Sequence, residues 1–325
     1  MKPGQLIRFD SSFQRRLAFA GLLSWVSWGP PAHAAQGPIL HVDQLWRMWA
    51  VSPLIVGGCL LAVALYARGL WARRTQGAAL HIGKAVSFLG AATLTYGVLQ
   101  GPLNALSPHL FWANRAQSLA LYDWVPILLV LAAPVPELAA GVPHWLRRAL
   151  SPPAHSLRGL WEFMQAPLVA PIAFLGMVVF WLTPKILDLA VTHGAVSDLM
   201  HATMLMEGVC FWWFILAPHA TRTSYGRRIM TLWAVMLPQM LLGFYVMFTP
   251  RQLYSAIARH HWAWPVGYMV DQNLGGLVVW VPVVMTSALA AVLVLRFWMR
   301  EEQAVNPASE APAPVDEGVA VSPAE

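Results

Sequence analysis

Apolar segments long enough to cross a lipid bilayer recur along this chain, and they constrain its fold more than any other feature. A helix needs about 20 apolar residues to span the hydrocarbon core. The sequence predicts seven such helices, at residues 48–68, 79–100, 117–136, 167–187, 199–219, 229–249 and 274–297. Only 11% of the 325 residues are charged, whereas soluble domains carry roughly 25%. We therefore predict an all-α, polytopic membrane bundle, and the composition excludes a soluble enzyme, a disordered protein and a nucleic-acid-binding protein.

The first 35 residues have the order of a secretory signal peptide. Arg15 and Arg16 precede a short apolar run, which is followed by two prolines and the small-residue sequence Ala32-His33-Ala34-Ala35. This is the order of a basic region, an apolar region and a cleavage site. We predict a signal peptide at 1–35, with an uncleaved membrane anchor as the alternative. In both cases the chain from Gln36 onward starts outside the cytoplasm.

Arginines are divided unevenly between the two sides of the predicted bundle. Those that follow the odd-numbered spans are Arg68, Arg73, Arg74, Arg147, Arg148, Arg158, Arg222, Arg227, Arg228, Arg296 and Arg300. The loops on the other side hold only Arg47, Arg115, Arg251 and Arg259 near membrane ends. Because basic loops stay in the cytoplasm, this bias predicts that the mature N-terminus lies outside and the C-terminus inside.

Residues 301–325 differ in composition from the rest of the chain. They are rich in Pro, Ala and Glu and have no apolar period. Such a segment cannot bury enough apolar surface to fold. We predict a disordered cytoplasmic tail at 301–325, which leaves 36–300 as the transmembrane domain.

Polar residues at membrane depth are few, and each is a functional candidate because an unpaired ionisable group there is costly. His201 and Met204 share one helical face, and Met200 lies one turn before Met204. Imidazole and thioether groups suit Cu(I), so we predict these three residues as possible copper ligands. The alternatives are a hydrogen-bonded structural histidine and methionines that fill gaps in the core.

Four further polar residues are predicted to be structural or to support a site: Asp123, Glu207, Asp271 and Gln272. Asp271 could also cap the helix that it opens, and Glu207 could pair with a neighbouring helix. His260 and His261, in an outer loop with two tryptophans, could bind metal or belong to an interfacial aromatic belt.

Four short motifs follow one another between residues 101 and 296. They are Gly101-Pro102-Leu103-Asn104-Ala105-Leu106; Trp181 with Pro184 and Ile186-Leu187-Asp188; His201 with Gly208 and Phe211-Trp212-Trp213; and Asp271-Gln272-Asn273-Leu274-Gly275-Gly276-Leu277 with Trp280-Val281-Pro282. In this order they resemble the CtaG family of cytochrome c oxidase assembly factors, seven-helix bacterial membrane proteins linked to maturation of the oxidase copper centre. On this resemblance the signature residues are Gly208, Trp212, Gly276, Trp280 and Pro282.

The chain departs from the family at several histidines. A His-x-x-x-His turn that usually opens the third helix corresponds to Asn114 and Ser118 here, and a histidine after the fourth-helix tryptophan corresponds to Leu182. His201 is the outer histidine that remains. The resemblance therefore implies a divergent member that handles copper with His201 and thioethers, or one that has lost metal binding.

The resemblance implies a non-enzymatic accessory factor of the bacterial inner membrane that assists oxidase assembly, with copper delivery at the outer face. Its expected partners are the lipid bilayer and oxidase subunits or other assembly factors. Two alternatives stay open. One is a transporter for copper or another small solute, in which His201, Met204 and Glu207 line a continuous path. The other is a membrane scaffold that binds no metal.

Overall fold

The computed structural model describes residues 49–77, 81–143, 154–217, 223–259 and 267–305, together with Arg47 and Ala79, and these parts contain α-helices and no β-strand. The helices are α1 (Pro53–Arg74), α2 (Ile82–Gln100), α3 (Pro102–Leu106), α4 (Phe111–Leu119), α5 (Val125–Ala132), α6 (Val135–Gly141), α7 (Ala154–Met164), α8 (Val169–Leu182), α9 (Pro184–Thr192), α10 (Gly194–Leu216), α11 (Tyr225–Phe248), α12 (Ser255–Arg259) and α13 (Tyr268–Val305). A π-helical turn, Ala120–Trp124, joins α4 to α5. The predicted signal peptide, His260, His261 and residues 306–325 lie outside the described residues, so the predictions for them stay predictions.

Five of these segments are long and apolar enough to cross a membrane: α1, α2 with α3, α10, α11 and α13. Two more crossings are bent pairs, in which α4–α5 meets α6 at 71° and α8 meets α9 at 69°. Counting each bent pair as one span gives up to seven crossings, and the all-α membrane bundle is confirmed. Large apolar side chains such as Trp71, Ile82 and Phe248 remain exposed on these spans, where lipid can cover them.

The third and fourth spans are not the straight helices that the windows 117–136 and 167–187 predicted. The third begins earlier, at Phe111, and its break falls at Ala133, which has a left-handed φ of 44°, followed by Pro134. The fourth breaks at Thr183, whose ψ of 125° is extended, directly before Pro184. Proline lacks a backbone N–H and disfavours helical geometry in the residue before it, so both breaks have a local cause.

The other predicted windows are corrected at their polar ends. α10 begins at Gly194 rather than at 199, and α13 runs from Tyr268 to Val305 rather than from 274 to 297. A hydropathy window stops where polar residues such as Asp271 and Gln272 begin, although the backbone there is already helical. α13 also continues past residue 300, where we placed the start of the tail.

Hydrogen bonds show that successive spans alternate in direction. The backbone N–H of Ser52, before α1, donates to the Gln100 side chain at the end of α2. Contacts between the starts of α4 and α13, and between the ends of α8 and α11, lie at this same end of the bundle. We call it the cavity end.

The opposite end of the bundle, which we call the arginine end, carries most of the described arginines. There Arg73 at the end of α1 forms an ion pair of 2.8 Å with Glu137 of α6. Arg228, at the start of α11, donates to the carbonyl of Ala217, which follows α10, at 2.8 Å. The arginines that were predicted to face the cytoplasm and that the structure describes, such as Arg227 and Arg300, belong to this end. The alternation agrees with an odd number of spans.

Candidate ligand site at the cavity end of the bundle

A cavity of about 440 Å³ opens among α1, α2, α4, α9 and α10 at the cavity end. Its polar lining residues are Ser52, Gln100, Asn104, Ser107, His109, Asn114, Ser197, Asp198 and His201. Met200 also lines the cavity, whereas Met204 is not part of the lining and packs in the hydrophobic core at 1% exposure. Of the three predicted copper ligands, the structure therefore brings His201 and Met200 together at this cavity.

His201 presents a ring nitrogen without a partner. Its Nε2 atom is buried and makes no hydrogen bond with any of the described residues. A buried polar atom left unsatisfied costs roughly 1–3 kcal/mol, which a bound ligand can recover. The residue lies two turns into α10, so the helix start at Gly194 fixes its position in the cavity wall. His201 therefore has a ring nitrogen at this cavity that makes no hydrogen bond with the described residues.

Asn114 joins the cavity to the interior of the bundle. Its Nδ2 donates to the Ser107 hydroxyl at 2.9 Å, and its Oδ1 accepts a hydrogen bond from the Arg115 guanidinium. Ser118 turns its hydroxyl back to the Asn114 carbonyl at 2.9 Å and does not line the cavity. Of the three positions where the resemblance implies a histidine and this chain has another residue, Asn114 is the one that lines the cavity.

Arg115 lies inside the bundle, and the assignment to an outer loop was wrong. Because α4 begins at Phe111, residue 115 falls one turn into the helix and is only 4% exposed. Its guanidinium carbon lies 5.5 Å from the centre of the Phe111 ring. The apolar window that placed the third span at 117–136 missed this turn, which is rich in polar residues.

Asp271 caps a helix other than its own. Its carboxylate oxygens accept hydrogen bonds from the backbone N–H groups of Phe111, at 2.7 Å, and Trp112, at 3.0 Å. These are two of the first N–H groups of α4, which have no partner within that helix. A carboxylate also interacts favourably with the positive end of the helix dipole. Asp271 therefore fixes the start of the third span against the last one.

Gln272 forms hydrogen bonds with backbone groups at the end of α11. Its Nε2 lies 3.2–3.3 Å from the carbonyl oxygens of Val246, Thr249 and Arg251, and its Oε1 accepts from the N–H of Leu253. The side chain is fully buried. The sequence predicted a structural role for Asp271 and Gln272, and the hydrogen bonds support that role while identifying other helices as their targets.

Hydrogen bonds of Tyr254 and Asp188 connect the fourth span to the segment that follows α11 at the cavity end. The Tyr254 hydroxyl donates to the carbonyl of Leu182 at 3.0 Å, and burial raises the pKa of this phenol, so it stays a donor. Asp188 accepts from the N–H groups of Ser255 and Ala256 at the start of α12. Asp188 was part of a quoted motif, but nothing in the sequence indicated which segment it caps.

Asp123 lies in the π-helical turn, with its carboxylate 2% exposed. The Thr286 hydroxyl donates to it at 2.7 Å from α13. Thr286 lies one turn after Pro282, a signature residue within α13. A π-turn rotates the following residues relative to a regular helix, and it is a common feature of functional sites. Here it brings an acidic group against the last span.

Glu207 is buried in the middle of α10, away from the cavity lining. It is 6% exposed, and its Oε1 makes no hydrogen bond with the described residues. Neither Glu207 nor Met204 lines the cavity. The structure thus places two of the three residues of the transporter alternative outside this cavity.

Signature residues support close approach between helices. A Cβ atom on Gly208 would lie 2.4 Å from the Tyr122 carbonyl oxygen, and one on Gly276 would lie 2.8 Å from the Met247 Cβ. Small residues at helix contacts are typical of membrane bundles. Trp280 packs against Gly243 on the same contact between α11 and α13. Trp212 is 2% exposed and packs edge-on against Phe211.

The structure thus defines a helical membrane protein in which buried polar side chains form hydrogen bonds between helices and a polar cavity lies at one end. Among the described residues, no group of three or more His, Cys, Asp or Glu side chains is arranged to hold a metal ion. The all-α membrane fold is the one that the resemblance implied.

The family model described as cytochrome c oxidase caa3 assembly factor (CtaG) matches residues 64–301, and the chain belongs to this family. The chain is also similar to uncharacterized proteins of Mycobacterium bovis and Mycobacterium tuberculosis, with 27% identity over 277 residues in each case. A relative from Mycobacterium leprae is 24% identical over 281 residues. These alignments cover 81–82% of this chain but 41% of each relative, so the chain spans about two fifths of their length. No solved structure matches it.

Proposed function

We propose that this protein is an accessory factor that hands Cu(I) to cytochrome c oxidase during its assembly, and that the cavity end faces the outside of the bacterial inner membrane. Membership of the oxidase assembly factor family supports the general role. The observation that carries the copper proposal is the unpartnered Nε2 of His201 in a polar cavity that Met200 also lines.

The chemistry of this pair suits a carrier rather than a catalyst. Imidazole and thioether are soft ligands that select Cu(I) over the harder cations. A small ligand set holds its cargo weakly enough for a partner with more ligands to remove it. In this proposal His201 and Met200 bind the ion. The hydrogen bonds of Asp271 and Gln272 hold the helix ends that shape the cavity.

The proposal is tested by deleting the gene and complementing it with wild type, His201→Ala, Met200→Leu or His81→Ala. His81 is the control because it is exposed at the start of α2, at the arginine end. We expect the deletion and His201→Ala to lower the copper content of the oxidase and its absorption per unit of membrane protein. Met200→Leu should be intermediate, and His81→Ala should match wild type at equal amounts in the membrane.

The outcomes separate the family role from the copper role. Normal oxidase assembly and spectra in the deletion strain would contradict an assembly function. Full complementation by His201→Ala would contradict copper handling at this cavity while leaving the assembly role in place. A Cu(I) titration of the purified protein, compared with His201→Ala, gives the same distinction outside the cell.

A further inference from the structure

Arg115 is a buried cation that forms no ion pair with any carboxylate of the described residues. Its side chain is 4% exposed, and it donates to the Asn114 side chain and lies over the Phe111 ring. Its Nε makes no hydrogen bond with the described residues. The ion pair between Arg73 and Glu137 belongs to the opposite end of the bundle. Arg115 therefore carries a full positive charge without a matching negative one.

Such a charge is unfavourable by itself. Moving an ion from water into a protein interior costs several kcal/mol, and partners usually compensate for that cost. The contact with Phe111 returns only about 0.5–2 kcal/mol. The carboxylate of Asp271, which lies at the start of the same helix, is already used by the backbone N–H groups of Phe111 and Trp112. A compensating anion from outside the described residues is therefore expected.

The cavity lies directly beyond the hydrogen-bond partner of Arg115. Asn114 lines the cavity and also accepts the Arg115 hydrogen bond. His201 lines the same cavity as Asn114, and its Nε2 makes no hydrogen bond with the described residues. Asp198, the acidic residue of the lining, already has an interaction partner of its own. The lining therefore offers an anion hydrogen-bonding groups next to an uncompensated cation.

We propose that this cavity binds an anionic oxygen group, a carboxylate or a phosphate, whose charge compensates Arg115. The volume of about 440 Å³ accommodates such a group with bound water, since one water takes about 30 Å³. Hydrogen-bond donors come from Asn114, Ser107 and the His201 tautomer that carries its proton on Nε2. The anion site does not depend on copper. When copper is present, an anion there also reduces the repulsion between Arg115 and a Cu(I) ion at His201.

The test uses the full chain purified in an uncharged detergent, with phosphate or acetate added at constant ionic strength. Thermal unfolding is followed by tryptophan fluorescence. We expect a saturable rise in unfolding temperature in wild type, because a ligand of the folded state stabilises it. Arg115→Met should weaken the apparent affinity at least about tenfold, and Arg115→Lys should keep most of it.

Arg228→Met is the matched control. Arg228 is equally buried, at 1% exposure, but it donates to the carbonyls of Ile215 and Ala217 at the arginine end. Its replacement should leave the anion concentration at half effect unchanged. An equal response in wild type and Arg115→Met would overturn the proposal, and so would the absence of any saturable response in wild type.

Asn114→Asp tests the same site if Arg115→Met does not fold. This change places a carboxylate beside the guanidinium, so the protein supplies its own anion. We expect a higher unfolding temperature without added anion and a loss of the anion response. A lower unfolding temperature with the response intact would contradict the proposal.

Nanodiscs distinguish the two sources of the anion. Stabilisation of wild type, but not of Arg115→Met, in phosphatidylglycerol compared with phosphatidylcholine identifies a lipid headgroup as the ligand. Stabilisation by added phosphate in phosphatidylcholine discs identifies a free anion. If neither lipid nor phosphate discriminates wild type from Arg115→Met, the cavity is not an anion site.

Discussion

Individual polar side chains at the cavity end satisfy backbone groups of distant helices. Asp271 supplies a carboxylate to the start of α4, and Gln272 contacts carbonyl groups at the end of α11. Asp188 accepts a hydrogen bond from a backbone N–H group at the start of α12, at a more exposed position. Water does not reach the buried Asp271 and Gln272 side chains, so their contacts should stabilise helix ends more than the exposed contact of Asp188 does.

Replacing Asp271 by Ala should lower the free energy of unfolding by about 2–4 kcal/mol, because two backbone N–H groups lose a charged acceptor. Asp271→Asn retains a neutral acceptor and should lose about half as much. The measurement is reversible unfolding in mixed micelles. Asp188→Ala is the control, with an expected loss of about 1 kcal/mol at its exposed cap. Equal losses for Asp271→Ala and Asp188→Ala would contradict a special role for the buried cap.

Thr286→Val removes the hydroxyl that donates to Asp123 while keeping the shape of the side chain. We expect a loss of about 1–3 kcal/mol, because a buried carboxylate loses a hydrogen bond. The double variant Thr286→Val with Asp123→Asn should be less destabilised than the sum of the two single variants, since the pair acts as a unit. Strict additivity in the same unfolding assay would show that the contact contributes little.

The sequence identified Asp271, Gln272, Asp123 and His201 because polar residues are rare and costly in apolar segments. It could not identify their partners, since Asp271 and Phe111 are 160 residues apart and meet only in the folded bundle. Arg115 was missed for a related reason. Its polar surroundings look like a loop in the sequence, and only the folded chain shows that they are buried.

At the scale of elements, helices approach closely where glycines lie, and they bend where a proline follows a residue with non-helical backbone dihedrals. The apolar windows predicted the existence of the spans well, because lipid requires a minimum length of apolar helix. They did not predict the break at Ala133 or the π-turn at Ala120–Trp124, because a window that averages hydropathy does not register backbone geometry. The Thr183–Pro184 break has a visible local cause, yet the window still treated the segment as continuous.

Gly208→Ala should destabilise the protein by about 1–3 kcal/mol, because the added methyl group would lie 2.4 Å from the Tyr122 carbonyl oxygen. Gly176→Ala is the control within α8, where nothing lies within 4 Å of the added atom. It should change the stability by less than about 1 kcal/mol and in the favourable direction, because alanine favours helix. The comparison uses the same micelle unfolding assay, and a harmless Gly208→Ala would mean that α10 can move away from the π-turn.

At the scale of the whole molecule, the alternating spans separate an arginine end from a cavity end. The positive-inside bias predicts that the arginine end lies in the cytoplasm. Exchange of cargo with the copper domain of an oxidase requires the cavity end to face the other side. A measurement of the orientation in the membrane therefore tests both the positive-inside prediction and the proposed function.

Fusions of the full chain to green fluorescent protein after Glu325 should fluoresce, because this reporter matures in the cytoplasm, whereas alkaline phosphatase at the same position should be inactive. Alkaline phosphatase fused after Arg251, at the cavity end, should be active. The reversed pattern, with an active phosphatase after Glu325, would place the cavity in the cytoplasm and contradict delivery at the outer face.

The carboxylate that caps α4 belongs to α13, and Asp271 follows Phe111 by 160 residues along the chain. Until that helix inserts, the backbone N–H groups of Phe111 and Trp112 lack the Asp271 acceptor. The start of the third span is therefore fixed only after α13 has been made. A chain that stops before residue 268 lacks Asp271, so the N–H groups of Phe111 and Trp112 would lose their carboxylate acceptor.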